Sequence, residues 1–324
     1  VYKRQLLVLK TSSDIPLRGR VPVTWRWSSL SERRQRLEIA ISNDVIFNGV
    51  GSRRVLSEDE AANVWMATPG ADPVDVPGDR WPARVAMGLV NLADGIYVVQ
   101  GVRTGFHHMV VDTADGLVVA DAPAGWVELQ QFPPTDLVPG LGISGLSEQL
   151  IDFLAAEFPD KPVRAVALTH HHDDHAGGAR AFTAAGAAVY APAEVSGFLG
   201  EALNSEAMPA DRLSESGGHV LIRPVEGELT LDDPNVPVRL INMGSSPHVI
   251  SSLGVLAGGY FFQSDLHVPN SESDEPRSDR AATECWFAGW AVANLPDDTL
   301  VINTHTLIQT PLSRLANYLD SDSC

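Results

Sequence analysis

The chain has 324 residues, 44% of them hydrophobic and 20% charged, with a net charge of −18 and an isoelectric point near 4.8. That length suggests two domains, or one large domain with an extension, and the apolar share supports a sizeable core. So acidic a chain repels phosphate backbones, which argues against a nucleic-acid partner, and no apolar run approaches the ~20 residues of a bilayer span.

The densest basic run, SERRQRLE (31–38), is diluted by its own glutamates. Residues 1–92 read as a β-rich module, with short strands at VPVTWRW, RLEIAIS and DVIFNGVG. Within that module, ATPGADPVDVPGDRWPA (67–83) is dense in Pro, Gly and Asp and marks a linker or irregular loop. The module contains no histidine and is expected to supply no chemistry. The chain opens on VYKRQLLVLK without an initiator Met and closes on SDSC, so both ends look cut from something longer. A missing signal peptide, and with it a periplasmic or secreted location, is an expectation for the absent part.

From residue 93 the pattern changes. GIYVVQGV (95–102), HMVVDT (108–113) and GLVVADA (116–122) are β runs separated by turns. SGLSEQLIDFLAAEF (144–158) places Leu146, Leu150, Ile151, Leu154 and Phe158 at helical spacing, with Ser144 as the expected N-cap. VRAVALT (163–169) is a buried-type strand, GGARAFTAAGA a helix and AAVYAP the next strand. Further strands are expected at HVLIRP, ELTLD, VPVRLIN, LGVLAG, GYFFQSD and TLVINT, and helices at PAEVSGFLGEAL, ATECWFAGWAVANL and PLSRLANYL. Alternation of this kind implies an α/β fold with helices over sheets for residues 93–324. Two cysteines, Cys285 and Cys324, exclude a disulfide framework or a cysteine-based zinc site. One bridge between them stays open, although Cys285 is expected to be buried and inert.

The chain has ten histidines, and four of them fall in LTHHHDDHAGG (168–178), directly after a predicted strand. Loops at strand ends, held by a rigid scaffold, are where chemistry is usually placed. His170 and His172, two residues apart in an extended turn, can share one metal ion, while Asp174 and His175 turn toward a second point. Imidazole and carboxylate suit zinc, and also iron or manganese. Further ligands must come from elsewhere, and His248, Asp265 and His305 each follow a hydrophobic strand. His171 and Asp173 are expected to face outward or to support the ligands from behind, not to bind metal themselves. His107 or His108, Trp126 and His267 are candidates to line the pocket, and His219 reads as a surface residue. The polar segment 266–282, right after Asp265, is expected to be a loop bordering the cleft.

Residues 93 to about 308 resemble the metallo-β-lactamase superfamily, whose H-x-H-x-D-H signature is matched by His170, His172, Asp174 and His175. His248, Asp265 and His305 match the later ligands by order and context, although Thr306 stands where many members have Gly. The opening GIYVVQG…HHMVVDTADGLVVADAP is similar to the family's first strands, which end in an aspartate such as Asp121. An N-terminal β module with HHMVV before ADAP is similar to an uncharacterised, often exported branch. The resemblance implies an αββα sandwich with a dinuclear site at one edge, holding two Zn²⁺ per chain. It implies a hydrolase acting through metal-bound hydroxide on a small carbonyl substrate: an ester, lactone, thioester or amide. Asp174 would orient the nucleophile. True β-lactamase or phosphodiesterase activity is the alternative, and a non-enzymatic metal-binding module is the alternative from another class. No feature specifies an oligomeric state.

Overall fold

The computed structural model describes residues 6–15, 19–29, 34–41, 44–52, 87–103, 106–124, 144–205, 211–269 and 274–324, the first four segments by their backbone alone. The chain divides into two compact units, Val1–Arg80 and Trp81–Cys324. In the first, β1 (Leu6–Ile15), β2 (Gly19–Ser29), β3 (Arg34–Ile41) and β4 (Asp44–Ser52) form an antiparallel sheet in sequential order.

The second unit is an αββα sandwich. Its first sheet runs, edge to edge, β11 (Ile222–Val225), β10 (Ala188–Pro192), β9 (Val163–Ala167), β8 (Gly116–Ala120), β7 (Phe106–Thr113), β6 (Ile96–Arg103), β5 (Gly88–Ala93). Strands β5 to β8 are antiparallel neighbours, whereas β8, β9, β10 and β11 are parallel. Central strands of a sheet covered on both faces need apolar residues throughout, and GLVVA of β8 is buried at every position. The second sheet has the order β12 (Glu228–Leu231), β13 (Val238–Gly244), β14 (Ser252–Ala257), β15 (Tyr260–Phe262), β16 (Leu300–Ile302), β17 (Thr310–Pro311). Its edge strand β12 alternates exposed and half-buried residues.

Between the sheets lies a core that includes Met109, Val111 and Val118 from one side and Leu240, Leu253, Val255 and Phe262 from the other. Helix α1 (Gly145–Glu157) buries Leu146, Leu150 and Leu154, one per turn, and packs on β6. Two short helices follow β9, α2 (Asp173–Ala176) and α3 (Ala179–Ala184); α3 packs on β9, β10 and α1. Helix α4 (Ala193–Leu203) lies on β10 and β11, and a short α5 (Arg212–Ser216) follows it. On the outer face of the second sheet, α6 (Ala281–Asn294) and α7 (Leu312–Leu319) bring Phe287, Ala291, Leu315 and Tyr318 against Phe261 and Val301. Among the described residues no helix is long and apolar enough to cross a membrane.

Three expectations are corrected. GGARAFTAAGA is not one helix: the helical segment starts earlier, at Asp173, and is broken at Gly177 and Gly178. Close packing requires glycine at 178, where a Cβ would lie 2.0 Å from Ser147 Oγ and 2.4 Å from Pro123 O. Ser144 sits at the N-cap of α1 without capping it; its hydroxyl donates instead to Asp211 Oδ2 at 2.8 Å. Cys285 is not an inert thiol but is bridged to Cys324, with Cα atoms 5.5 Å apart.

The Gly178 contact yields a prediction. Gly178→Ala must displace Ser147 or the backbone of Pro123, and overpacking of this kind costs about 1–3 kcal/mol. Urea denaturation should report a loss in that range, and a variant as stable as wild type would contradict the packing described.

Candidate metal centre

The histidine cluster begins three residues after β9 ends. His170 leaves the strand, His172 is the residue preceding α2, and Asp174 and His175 lie in its single turn. His248 sits in the turn between β13 and β14, Asp265 follows β15 and His305 follows β16. Both sheets therefore deliver side chains to one end of the sandwich. Backbone bonds tie that end together: Leu253 N–H donates to Thr169 O at 2.6 Å, and His107 N–H to Thr304 O at 2.6 Å.

Beneath the cluster lies a buried carboxylate. Asp121, one residue past β8, is fully buried and accepts Thr169 N–H at 2.8 Å, the Ser264 hydroxyl at 3.1 Å and His175 Nδ1–H at 2.9 Å. Asp121 and Ser264 are also the two non-glycine residues, among those described, with positive φ, 68° and 65°. Left-handed backbone at such residues costs of order 1–3 kcal/mol and persists where surrounding contacts enforce it. Here each strained residue hydrogen-bonds the other, and both lie within hydrogen-bond distance of His175 Nδ1.

The ligand-type atoms form two groups with one member in common. Those of His170, His172, His248 and Asp265 lie within 4.8 Å of one another, as do those of His175, Asp265 and His305. His305 Nε2 is 2.9 Å from Asp265 Oδ1, whereas Oδ2 faces His175 Nε2 at 3.3 Å, His248 Nε2 at 3.4 Å and His170 Nε2 at 3.9 Å. Asp174 belongs to neither group but borders the second, with Oδ2 3.5 Å from His175 Nε2. His305 is set by Asn303, whose Oδ1 accepts the amides of His305 and Thr306 at 2.8 Å each, while its Nδ2 donates to Thr306 Oγ1 at 3.0 Å. Phe106 supports the His305 ring edge-on, centroids 4.9 Å apart.

The titratable groups of the pocket are shifted in opposite directions. Burial, and secondarily the neighbouring His175, hold His170 well below the usual imidazole range. Burial and then His248 bring His172 down to about 4. For His175 burial pulls the same way but is outweighed by Asp265 and Asp121, so it is held well above its ordinary value. Asp265 is held well below the carboxylate range by His175 and its other partners, against the opposing effect of burial. His175 Nε2 and His248 Nε2 are buried and make no hydrogen bond within the protein, although both face the Asp265 carboxylate. Inward-facing imidazole nitrogens without a hydrogen-bond partner, ranged around one carboxylate, are a donor set that fits zinc, iron or manganese.

The remaining candidates separate. His107 is half-buried beside the centre, with burial and then His305 lowering it to about 4. His108 is fully buried, bonded through Nδ1 to Ala120 O at 3.1 Å, and does not reach the two groups. His267 turns away: it is buried in the outer layer, 5.5 Å from the Tyr318 ring and 6.3 Å from Phe287, with Nε2 3.0 Å from Thr310 Oγ1. His171 faces Phe198 of α4, ring centroids 6.0 Å apart. Trp126 lies outside the described residues. Sequence reasoning missed Ser264, Asn303 and Thr169; the one available signal was their position beside strand-end ligands.

Residues 142–252, which hold His170 to His175 and His248, match the family model described as the metallo-beta-lactamase superfamily. No curated protein matches it. Among solved structures it is similar to a metallo-beta-lactamase from Pontibacter korlensis, at 13% identity over 71% of this chain and 96% of that one, TM-score 0.48. It is similar to one from Hirschia baltica, at 16% identity over 71% and 95%, TM-score 0.47. It is also similar to FIM-1 from Pseudomonas aeruginosa in its mono-zinc form, at 14% identity over 73% and 94%, TM-score 0.48.

Proposed function

We propose that the second unit is a metal-dependent hydrolase that holds two divalent cations, zinc foremost, and cleaves a carbonyl substrate such as an ester, lactone, thioester or amide. The single observation that carries this reading is the shared carboxylate. Asp265 is met at Oδ1 by His305 and at Oδ2 by His175, His248 and His170. His170, His172 and His248 would hold one ion, His175, His305 and Asp174 the other, and Asp265 both. Such ions, when bound, would supply Lewis acidity and a water-derived nucleophile at neutral pH. The chain's own residues do the rest. Asp121 and Ser264 fix the His175 ring from below. The Asp174 carboxylate, about a third exposed and beside His175, can orient water and take up its proton. The net charge of −18 supports a small-molecule substrate over a polynucleotide. The Cys285–Cys324 bridge supports work in an oxidising compartment, periplasmic or extracellular.

The test pairs metal analysis with a hydrolysis screen over lactones, thioesters, esters, β-lactams and phosphodiesters. The expected result is two metal equivalents per chain and a carbonyl hydrolysis abolished by chelation. A protein that takes up no metal would overturn the reading, and cleavage confined to phosphodiesters or β-lactams would move the substrate class. Asp174→Asn should lower turnover at least ~100-fold with the fold retained, while Asp173→Asn, one residue away, should do far less. Equal losses at both positions would put the register of the motif in error.

A further inference from the structure

We propose that Glu284 and Arg280 are positioning residues for Asp265, acting through a closed neck in the segment that follows it; the inference rests on Asp265 being the shared ligand. Strand β15 stops at Phe262, and the chain then turns through the left-handed Ser264. Asp265 thus has no strand to hold its backbone. Helix α6 supplies the hold. Glu284, in its first turn, is fully buried, and its carboxylate accepts Val268 N–H at Oε1 (3.3 Å) and Arg277 N–H at Oε2 (2.8 Å). One carboxylate therefore joins the outgoing and returning limbs. Arg277 Nη1 reinforces the join by donating to Val268 O at 3.2 Å. Arg280, at the N-cap position of α6, donates from Nη2 to the carbonyl of Asp265 itself. From the other side, Gln263 Oε1 accepts the amides of Leu266 (2.7 Å) and His267 (3.0 Å).

A buried carboxylate is costly unless its oxygens are satisfied. Glu284 meets that condition with two backbone amides from opposite limbs of one segment. An apolar side chain could fill the same space but could not join them. The polar stretch 266–282 is thus anchored at both ends, and its anchors bear on the metal centre, not only on the cleft beside it.

Three variants test this: Glu284→Gln, which leaves one of the two amides without an acceptor; Arg280→Met, which removes the donor to Asp265; and Arg280→Lys, which keeps a donor there. Zinc affinity is read by competition with a chromophoric chelator, backbone exchange by deuterium uptake of the metal-free protein, and the fold by thermal melting. Glu284→Gln and Arg280→Met should each weaken zinc about 10–100-fold and speed exchange around 265–268 and 274–278. Arg280→Lys should recover most of the affinity. Should Glu284→Gln fail to fold, the Arg280 pair still decides. Wild-type affinity in Arg280→Met, or equal losses in Met and Lys variants, would overturn the inference while leaving the metal assignment standing. A wild-type protein that binds no zinc would overturn both, and that outcome is recognised before any variant is made.

Discussion

Asparagine at position 265 should lower turnover on any carbonyl substrate by about 10³-fold, within the 10²–10⁴ range of a well-placed catalytic group. It should also lower the metal content from two equivalents to one or fewer. The carboxylate is the one group that both clusters share, with His305 at 2.9 Å from Oδ1 and three imidazoles between 3.3 and 3.9 Å from Oδ2. Asparagine keeps the volume but replaces one oxygen with an NH₂ group, which presents hydrogens where a ligand atom is needed. The negative charge that offsets two cations is lost as well. Asp265 lies among four histidines and not in the apolar core, so a melting temperature near that of the metal-free wild type is expected. Inductively coupled plasma mass spectrometry on purified Asp265→Asn gives the metal count. Two tightly held equivalents in that variant would exclude a bridging role.

Arg180→Ala should be the most destabilising of the substitutions considered, by about 3–5 kcal/mol, the usual cost of stranding one partner of a buried ion pair. Arg180 and Asp211 are both buried. The guanidinium donates to Asp211 through Nε (2.6 Å) and Nη2 (2.8 Å), and to Leu203 O through Nη1 (2.6 Å). Asp211 also accepts the Ser144 hydroxyl at 2.8 Å and Ser214 N–H at 2.9 Å. The cluster thus links α3, α5 and the start of α1. Burial alone would raise the Asp211 carboxyl, but the bonds from Arg180 and its neighbours prevail and hold it below the usual carboxylate range. A carboxyl depressed in the folded state adds stability that is fully present above its unfolded value, about 3.9, and is lost as pH falls through the folded value. The gap between wild type and Arg180→Ala should therefore be widest near neutrality and narrow as pH drops below about 4. Urea melts at pH 7, 5 and 3 test it. A gap under ~1 kcal/mol at pH 7, typical of an exposed pair, would show that the pair does not act as described.

The parts of the centre that were legible in the sequence are those carried by local order. The run from His170 to His175 announces itself by composition, and His248, Asp265 and His305 each stand just past a β run. A continuous apolar strand such as β8 is readable because a sheet covered on both faces leaves no polar face to interrupt it. What escaped depends on contacts between distant residues. Ser264 and Asp121 meet across 143 positions, and Arg180 reaches Asp211 across 31. Neither pair has a periodic signature. His267, two residues beyond Asp265, is a candidate for the cleft by sequence position alone. The strand has already ended, however, and Gln263, by bonding the amides of Leu266 and His267, directs the ring into the outer layer. Ser144 precedes a helix in the manner of a cap, yet the buried Asp211 competes for its hydroxyl. The disulfide was open but unproven in the sequence, because a separation of 39 residues says nothing of distance.

The most direct measurement of the central claim is an anomalous-difference map, recorded on both sides of the zinc absorption edge from crystals grown with zinc. The account predicts two peaks, one among His170, His172 and His248 and one among His175, His305 and Asp174, each within about 2.2 Å of an Asp265 oxygen. No peak, or a single peak that Asp265 does not touch, would contradict it.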